Sequence, residues 1–464
     1  KHTLARNDVT LRVRHNGDKR LQTIKSGGLT NSFKRGEWEH QIPGDVPNFR
    51  KAQHTALAPL LTKKLKRTLK PIFATRIHRT SVPVRRNGSR IEVVLDEGSV
   101  RAGRQTAPIG ELELELKRGK AGDLFKLARE MVRLVPATLA LKSKSKRGYD
   151  LLENKTAEVV RAETIRLQDG MTTADAFRAI GRSTLRQISG NAAAVARSDS
   201  ESVHQMRVGL RRLRAAMSLF SKLLGDKQTK RTKSELKWLT GELAAARDLD
   251  VYMKSKIEPM RGAAQAKRGM KELTTALSAR RQAAFGRAKA AVTSPRYRVL
   301  LLDTLQWIEN GDWARRSRRS GQLPIEWSAA DILSSRTEKA RKKAKKLREL
   351  DARQRHKLRI AVKKLRYASD FFGGLFPGPK AKKRLSAVQA SLKELQDHLG
   401  ALNDIRVHQK LIPKLASGKP RTKRRQRAFA ASVASGREQS EIEPLLNSAV
   451  KDARKFDQIR PFWT

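Results

Sequence analysis

Residues 204–214 read HQMRVGLRRLR, and residues 356–366 read HKLRIAVKKLR, two segments 152 positions apart. Each begins with His, places Arg three residues later and adds cations further on. On a helix turning ~100° per residue, His204, Arg207, Arg211 and Arg214 fall in one stripe. His356, Arg359, Lys363 and Arg366 form the same stripe in the second segment. Each stripe runs beside an apolar seam. Val203, Met206, Leu210, Leu213, Met217, Phe220 and Leu224 recur at alternating steps of three and four, the spacing of a helix packed along a partner. Leu358, Val362, Leu365, Phe372 and Phe376 repeat that seam from Met206 onward, with Ser369 as its polar break.

The repeat continues downstream. Leu236, Leu239, Leu243 and Ala246 precede RDLDV at 247–251, and Leu392, Leu395, Leu399 and Leu402 precede NDIRV at 403–407. Two homologous helical halves are therefore expected, about 172–308 and 328–464, with a polar loop over about 309–327. Stripes held beside a packed seam, and facing one another, would line a groove that concentrates a polyanion. Arg offers phosphate bidentate donors and Lys a point charge. His beside anionic oxygens would hold its proton. Arg212 and Lys364 point away from the stripes, and Asp248 and Asp404 read as helix-end carboxylates or partners of a nearby Arg.

Composition agrees with a polyanionic partner. The 464 residues carry 101 Lys+Arg against 45 Asp+Glu, a net charge of +56. That excess repels itself in a compact state unless a counter-charge binds. Absence of cysteine excludes disulfides and thiolate metal sites. No apolar run approaches the ~18–20 residues of a membrane span. Aromatics are 5 % of the chain, and those near the basic segments (Phe220, Phe371, Phe372) read as core. Readers of single-stranded nucleic acid stack bases on aromatics, so a partner with phosphates and no bases fits better.

The first 120 residues follow a period of two instead. TLRVRHNGD, RLQTIKSGG, RIEVVLDEGS and ELELELKRG alternate between turn residues, and Asn16-Gly17 and Asn87-Gly88 mark hairpins. Helical patterns are read at about 54–69 and 121–133, and a linker over 136–171. In a strand, Glu111, Glu113, Glu115 and Lys117 share one face. Arg12 and Arg14 share another; so do Thr23 and Lys25; Arg35, Glu37 and Glu39; and Arg90, Glu92 and Asp96, with Arg76 as a further cation. Ionic faces opposite apolar ones suggest an antiparallel barrel with a charged lumen and helices outside. Arg12, Arg14, Lys25, Arg35, Arg76 and Arg90 are the candidates to bind a triphosphate. Glu37, Glu92, Asp96, Glu111, Glu113 and Glu115 are the candidates to hold Mg²⁺ or Mn²⁺, hard ions that prefer oxygen. Glu113, Glu115 and Lys25 are the candidate catalytic groups for attack of water on a phosphoryl centre.

The doubled H-x-x-R-x-x-x-[RK]-[RK]-L-R helix with ARDLDV and LNDIRV downstream resembles the CHAD domain (conserved histidine α-helical domain) over about 172–464. The resemblance implies two four-helix bundles related by a pseudo-two-fold axis, with a basic surface that binds inorganic polyphosphate. The matching positions are His204, Arg207, Arg211, Arg214, His356, Arg359, Lys363 and Arg366. Over about 1–135, LRVR, TIK, R-x-E-x-E, EVVLDEG and ELELELK in that order resemble the CYTH domain of the triphosphate tunnel metalloenzymes. That resemblance implies an eight-stranded tunnel and metal-dependent cleavage of inorganic triphosphate or a related phosphate compound. CYTH followed by CHAD is an order similar to that of bacterial inorganic triphosphatases. The family opens on an E-x-E-x-K strand, and Glu113-Leu114-Glu115-Leu116-Lys117, which fits that spacing, better matches its last strand. The chain, which begins at Lys1, is therefore expected to lack the first strand.

The resulting expectation is an α+β multidomain protein with inorganic triphosphate and polyphosphate as partners. No specific nucleic acid and no membrane span are expected, and the expected location is the cytoplasm, with association with polyphosphate granules left open. A non-catalytic polyphosphate-binding protein and a nucleic-acid-binding protein are the alternatives.

Overall fold

The structure is a computed structural model in which residues 2–26, 36–140, 142–154, 159–260, 267–316, 318–416, 436 and 438–464 are described. The chain divides into two compact units, Lys1–Glu158 and Val159–Thr464. Among the described residues, no helix is long and apolar enough to cross a membrane.

In the first unit, α1 (Thr3–Arg6) leads into strands β1 (Val9–Asn16), β2 (Lys19–Ser26) and β3 (Gly36–Ile42). Helix α2 (Lys63–Thr68) precedes β4 (Ala74–Arg86), β5 (Ser89–Ala102) and β6 (Gln105–Arg118), followed by α3 (Ala121–Leu134) and α4 (Lys144–Leu152). The strands form two antiparallel sheets of three, in the orders β1-β2-β3 and β4-β5-β6. Asn87 and Gly88 both take positive φ, at 47° and 75°. That is the backbone an Asn-Gly two-residue hairpin requires. Val9, Ile24, Ala52 and Leu57 pack one apolar cluster on the first sheet. Val100, Ala102, Ile109 and Leu151 pack another on the second.

The expected closed barrel is not what the described residues form. Closure requires every edge strand to pair on both sides. Here β1, β3, β4 and β6 each pair with one neighbour. The stretch read as a linker contains α4, because Ser143 caps Lys146 N and the Tyr149 and Leu151 side chains are buried. Leu95, on the same face of β5 as buried Ile91 and Val93, is 39 % exposed, while Val94 and Asp96 on the opposite face are buried. The face of β5 that looks onto the carboxylates is thus enclosed as well. Arg35 lies outside the described residues.

The second unit is helical: α5 (Thr173–Gly190), α6 (Ala192–Ala196), α7 (Ser200–Leu219), α8 (Lys227–Glu242), α9 (Ala244–Tyr252), α10 (Lys267–Thr293) and α11 (Pro295–Asn310). Then come α12 (Asp312–Arg316), α13 (Arg318–Gln322), α14 (Ile325–Ala344), α15 (Ala352–Phe372), α16 (Pro379–Ala416) and α17 (Ile442–Gln458). The expected loop over 309–327 holds α12 and α13, anchored by Trp313, which is buried against Phe177 at 5.1 Å between ring centroids. Asp199 caps α7, its side chain accepting from Ser202 N. The seams behave as the spacing predicts. Val203, Met206, Leu210, Leu213 and Met217 are fully buried, as are Leu358, Val362, Leu365 and Phe372. Ser369 satisfies its hydroxyl by donating to the Leu365 carbonyl at 3.1 Å, so it breaks the seam without leaving a buried polar group unpaired.

Candidate functional site

Register builds the acidic face. Arg79 stands opposite Asp96, and Asp96 opposite Glu111; further along, Val94 faces Glu113 and Glu92 faces Glu115. Alternation across a strand then puts these carboxylates on one side of the sheet. Asp96 is completely buried and accepts from Arg79 Nε and Nη2 at 2.7 and 2.6 Å. From α4, Lys144 Nζ reaches Asp96 Oδ2 at 2.8 Å, Glu111 Oε2 at 2.5 Å and Glu113 Oε1 at 2.6 Å. Arg147 meets Glu111 at 2.9 Å, and Lys117 spans Glu92 and Glu115 at 2.8 and 2.9 Å. Burial pushes the Asp96 carboxyl upward, but Arg79 and Lys144 outweigh it and hold it below the usual range. Burial likewise opposes the Lys144 ammonium, and its three carboxylates leave it above the ordinary lysine value.

On the other sheet, Arg12, Thr23 and Glu39 form one row, and Lys25 stands opposite Glu37. Arg14 and Thr23 Oγ1 both donate to Glu39 Oε2 at 2.9 Å, and Lys25 holds Glu37 at 2.8 Å. Arg12 is lowered by desolvation and by Arg14, and it also feels Glu37, Glu39 and Arg79 of the second sheet. Arg12 itself is exposed. The structure therefore gathers Arg12, Arg14 and Lys25. It leaves Arg76 exposed opposite Ser99, and Arg90 at a bulge opposite Arg118.

Mg²⁺ or Mn²⁺ would need several carboxylate oxygens converging on one point. Among the described residues, no group of three or more His, Asp or Glu is arranged to hold a metal ion. Glu37, Glu92, Asp96, Glu111, Glu113 and Glu115 each already face an ammonium or guanidinium. This arrangement does not fit a divalent ion.

The second site lies between α7 and α15, which pack together; Phe220 and Phe372, just past their cationic stretches, meet at 5.9 Å. Arg211 is the centre. Its charge acts on His204 and Arg207 of its own helix and on Arg359 and Lys363 of the other. Arg207 Nε and Nη1, Arg211 Nε and Arg359 Nε are buried and have no hydrogen-bond partner among the described residues. Arg207 Nη2 stands 3.3 Å from Asp248, in the pairing role read for that carboxylate. Desolvation, then neighbouring cations, push Lys363 down to about 7. His204 is lowered by burial and then by Arg247 and Arg211, so with no anion present the groove disfavours the proton expected on it. His356 instead places Nδ1 2.9 Å from Asn403 Oδ1. Arg366 acts on Lys363, whereas exposed Arg214 acts on Lys364 beside Arg336, Lys233 and Lys339, a separate cluster.

Four participants escaped the sequence reading. Arg247 acts on His204, but its counterpart in the repeat is Asn403, so a search for doubled cations passes over it. Lys144 and Arg147 sit in a lysine-rich stretch that resembles a linker; the signal for a helix is Ser143 followed by Tyr149, Leu151 and Leu152. Arg79 lies in TRIHRT, where only the register with Asp96 distinguishes it from Arg76.

With both sites described, comparison with known proteins gives the class. The CHAD domain matches residues 179–413 and the CYTH domain residues 1–149. The chain belongs to the CHAD-domain family and carries a CYTH domain ahead of it. An inorganic triphosphatase from Haemophilus influenzae is 34 % identical over 151 residues, which make up 32 % of this chain and 42 % of that protein. The match thus spans about two fifths of that relative's length. The crystal structure of the CHAD domain from the plant Ricinus communis aligns with a TM-score of 0.56 and 31 % identity, covering 64 % of this chain and 96 % of that one. PptA from Streptomyces chartreusis aligns at 18 % identity and a TM-score of 0.42, covering 61 % of this chain and 99 % of that one.

Proposed function

We propose that the helical unit binds inorganic polyphosphate in the groove between α7 and α15, and that the β unit hydrolyses inorganic triphosphate or a related phosphate compound. The observation that carries the first half is the set of buried guanidinium N–H groups on Arg207, Arg211 and Arg359 left without protein partners among the described residues. Buried donors that lack a partner are costly, and phosphate oxygens would supply the acceptors. Phe220, Phe371 and Phe372 are buried, which favours a partner with phosphates and no bases. His204, His356 and Arg366 border this groove, and Arg214 stands outside it, in the Lys364 cluster. The repeated seams support reading the unit as two bundles related by a pseudo-two-fold axis, with halves near 172–308 and 328–464.

For the β unit, similarity to an inorganic triphosphatase supports phosphohydrolase chemistry. Arg12, Arg14 and Lys25 would cradle the phosphates. Glu113 and Glu115, 47 % and 64 % exposed, are the accessible carboxylates that could take a proton from attacking water. The saturation of the acidic face by internal cations favours a second reading, a polyphosphate-binding protein with an inactive β unit.

Phosphate release from inorganic triphosphate, measured with Mg²⁺ or Mn²⁺ and with EDTA, separates the two. Metal-dependent release lost in Arg14→Ala supports hydrolysis; no release from protein that still binds polyphosphate supports the second reading. Displacement of long-chain polyphosphate by duplex DNA, at equal phosphate concentration and fixed salt, would overturn the polyphosphate assignment of the helical unit.

A further inference from the structure

The helical unit doubles a carboxylate as well as its cations. Asp248 follows Arg247, and Asp404 follows Asn403, at matched places in the two halves. A groove built only to attract phosphates has no use for either, yet both stand beside its arginines. Asp248, on α9, lies 3.3 Å from Arg207 Nη2 on α7, and its side chain is 47 % exposed against 16 % for Arg207. The acid is reachable from solvent while the guanidinium it touches is enclosed. Asp404 is placed by α16. An added Cβ on Gly400 would lie 4.0 Å from Arg359 Nε, and Asp404 is four residues further along the same helix face. Asn403 Nδ2 donates to Asp404 Oδ1 at 3.4 Å, and the oxygen of that amide meets His356 Nδ1 at 2.9 Å.

The two acids share one field. Both act on Arg359, and Asp404 also acts on Lys363. Partial desolvation raises the Asp248 carboxyl, Arg207 opposes that, and Asp404 raises it further. The acids answer only part of the cationic demand. Arg207 Nε and Nη1, Arg211 Nε and Arg359 Nε stay without a partner among the described residues. A phosphate that approaches Arg207 or Arg359 therefore finds free donors and a carboxylate beside them. Like charges repel more strongly there than in bulk water, because the groove is partly desolvated.

We propose that Asp248 and Asp404 are resident counter-anions that every phosphate ligand must overcome, and that they set the shortest polyphosphate the groove holds. Their repulsion is a fixed cost taken from each ligand. The favourable contacts grow with the number of phosphates that reach Arg207, Arg211, Arg359 and Lys363. Pyrophosphate makes too few contacts to offset the cost, whereas a chain crossing from α7 to α15 makes enough. The inference rests on the polyphosphate reading of this groove, and its test reads the change between variants, so the two fail separately.

The experiment is anisotropy of labelled long-chain polyphosphate with the full chain, in wild type, Asp248→Asn, Asp404→Asn and Asp248→Glu. Unlabelled pyrophosphate is the competitor, with EDTA present to prevent hydrolysis. Each Asn variant is expected to bind the long chain at least ~tenfold more tightly than wild type. The inhibition constant of pyrophosphate should fall by a similar factor. Asp248→Glu keeps the charge and should stay near wild type. A carboxylate that merely held Arg207 in place would give the opposite sign, weaker binding in Asp248→Asn. Melting temperatures near wild type verify folding, and if Asp248→Asn unfolds, Asp404→Asn carries the test. Wild-type binding with equal or weaker affinity in the folded Asn variants overturns this inference alone. Wild-type protein that binds no polyphosphate overturns the polyphosphate reading and this inference with it.

Discussion

Lys363 gives the groove a pH dependence of definite sign. In the ligand-free protein its value lies at about 7, against an ordinary 10.5, because it is half-buried among Arg359, Arg211 and Arg366. A bound polyanion replaces repulsion with attraction and draws the value back upward. Binding at pH 8 therefore takes up a proton. By linkage, affinity for polyphosphate is fullest below pH ~7 and falls by up to about tenfold per pH unit above it. Stability of the ligand-free protein runs the other way. The unfolded chain holds the proton between about 7 and 10.5 where the folded one does not. This residue's contribution to stability therefore rises with pH across that window. Each tenfold change in proton affinity is worth about 1.36 kcal/mol. Discounted for water access, Lys363→Met should stabilise the protein at pH 6 by at most a few kcal/mol. The assay is anisotropy of labelled long-chain polyphosphate from pH 6 to 9 at constant ionic strength. Lys363→Arg, charged throughout, should flatten the profile. A flat wild-type profile, or an unchanged slope in Lys363→Arg, refutes the reasoning.

Other outcomes follow from single contacts. Arg207→Glu and Arg359→Glu should each weaken polyphosphate binding strongly, and the double variant should lose less than the sum, because Arg211 joins both to one site; strict additivity in a titration would indicate two sites. Arg212 is 5 % exposed and donates to Gln187 Oε1 and the Glu163 carbonyl at 3.2 and 3.3 Å. Arg212→Met should cost about 1–3 kcal/mol in denaturant unfolding and leave polyphosphate affinity unchanged. Asp96→Asn removes a buried partner of Arg79 and Lys144. It should lower the melting temperature at pH 7, and the difference from wild type should shrink as pH falls through the depressed Asp96 value, below 3.8.

The helical unit was legible because its information is periodic. Seven-residue spacing marks what is buried whatever the neighbours, so Met206, Leu210, Leu358 and Val362 could be assigned to the core from sequence. Duplication then selected which cations matter. The β unit was legible in its strands and its alternation, and in little else. Period two says which residues share a face, and it does not say which strands meet, so the pairing of Arg79 with Asp96 and the failure of Arg76 to join it depended on register. Lys144 lay beyond both kinds of pattern, for its role is made by a helix docking against β5 and β6 from a different part of the chain.

The sequence by itself determined the two classes of structure, the basic stripes, the acidic strand face and the families they resemble. Those properties follow from local spacing and composition. Only the tertiary structure decided that Arg211 links the two stripes, that Arg214 stands apart, and that an ammonium already sits among Asp96, Glu111 and Glu113. Distances between residues far apart in sequence set those electrostatics, and the chain acquires such distances only by folding.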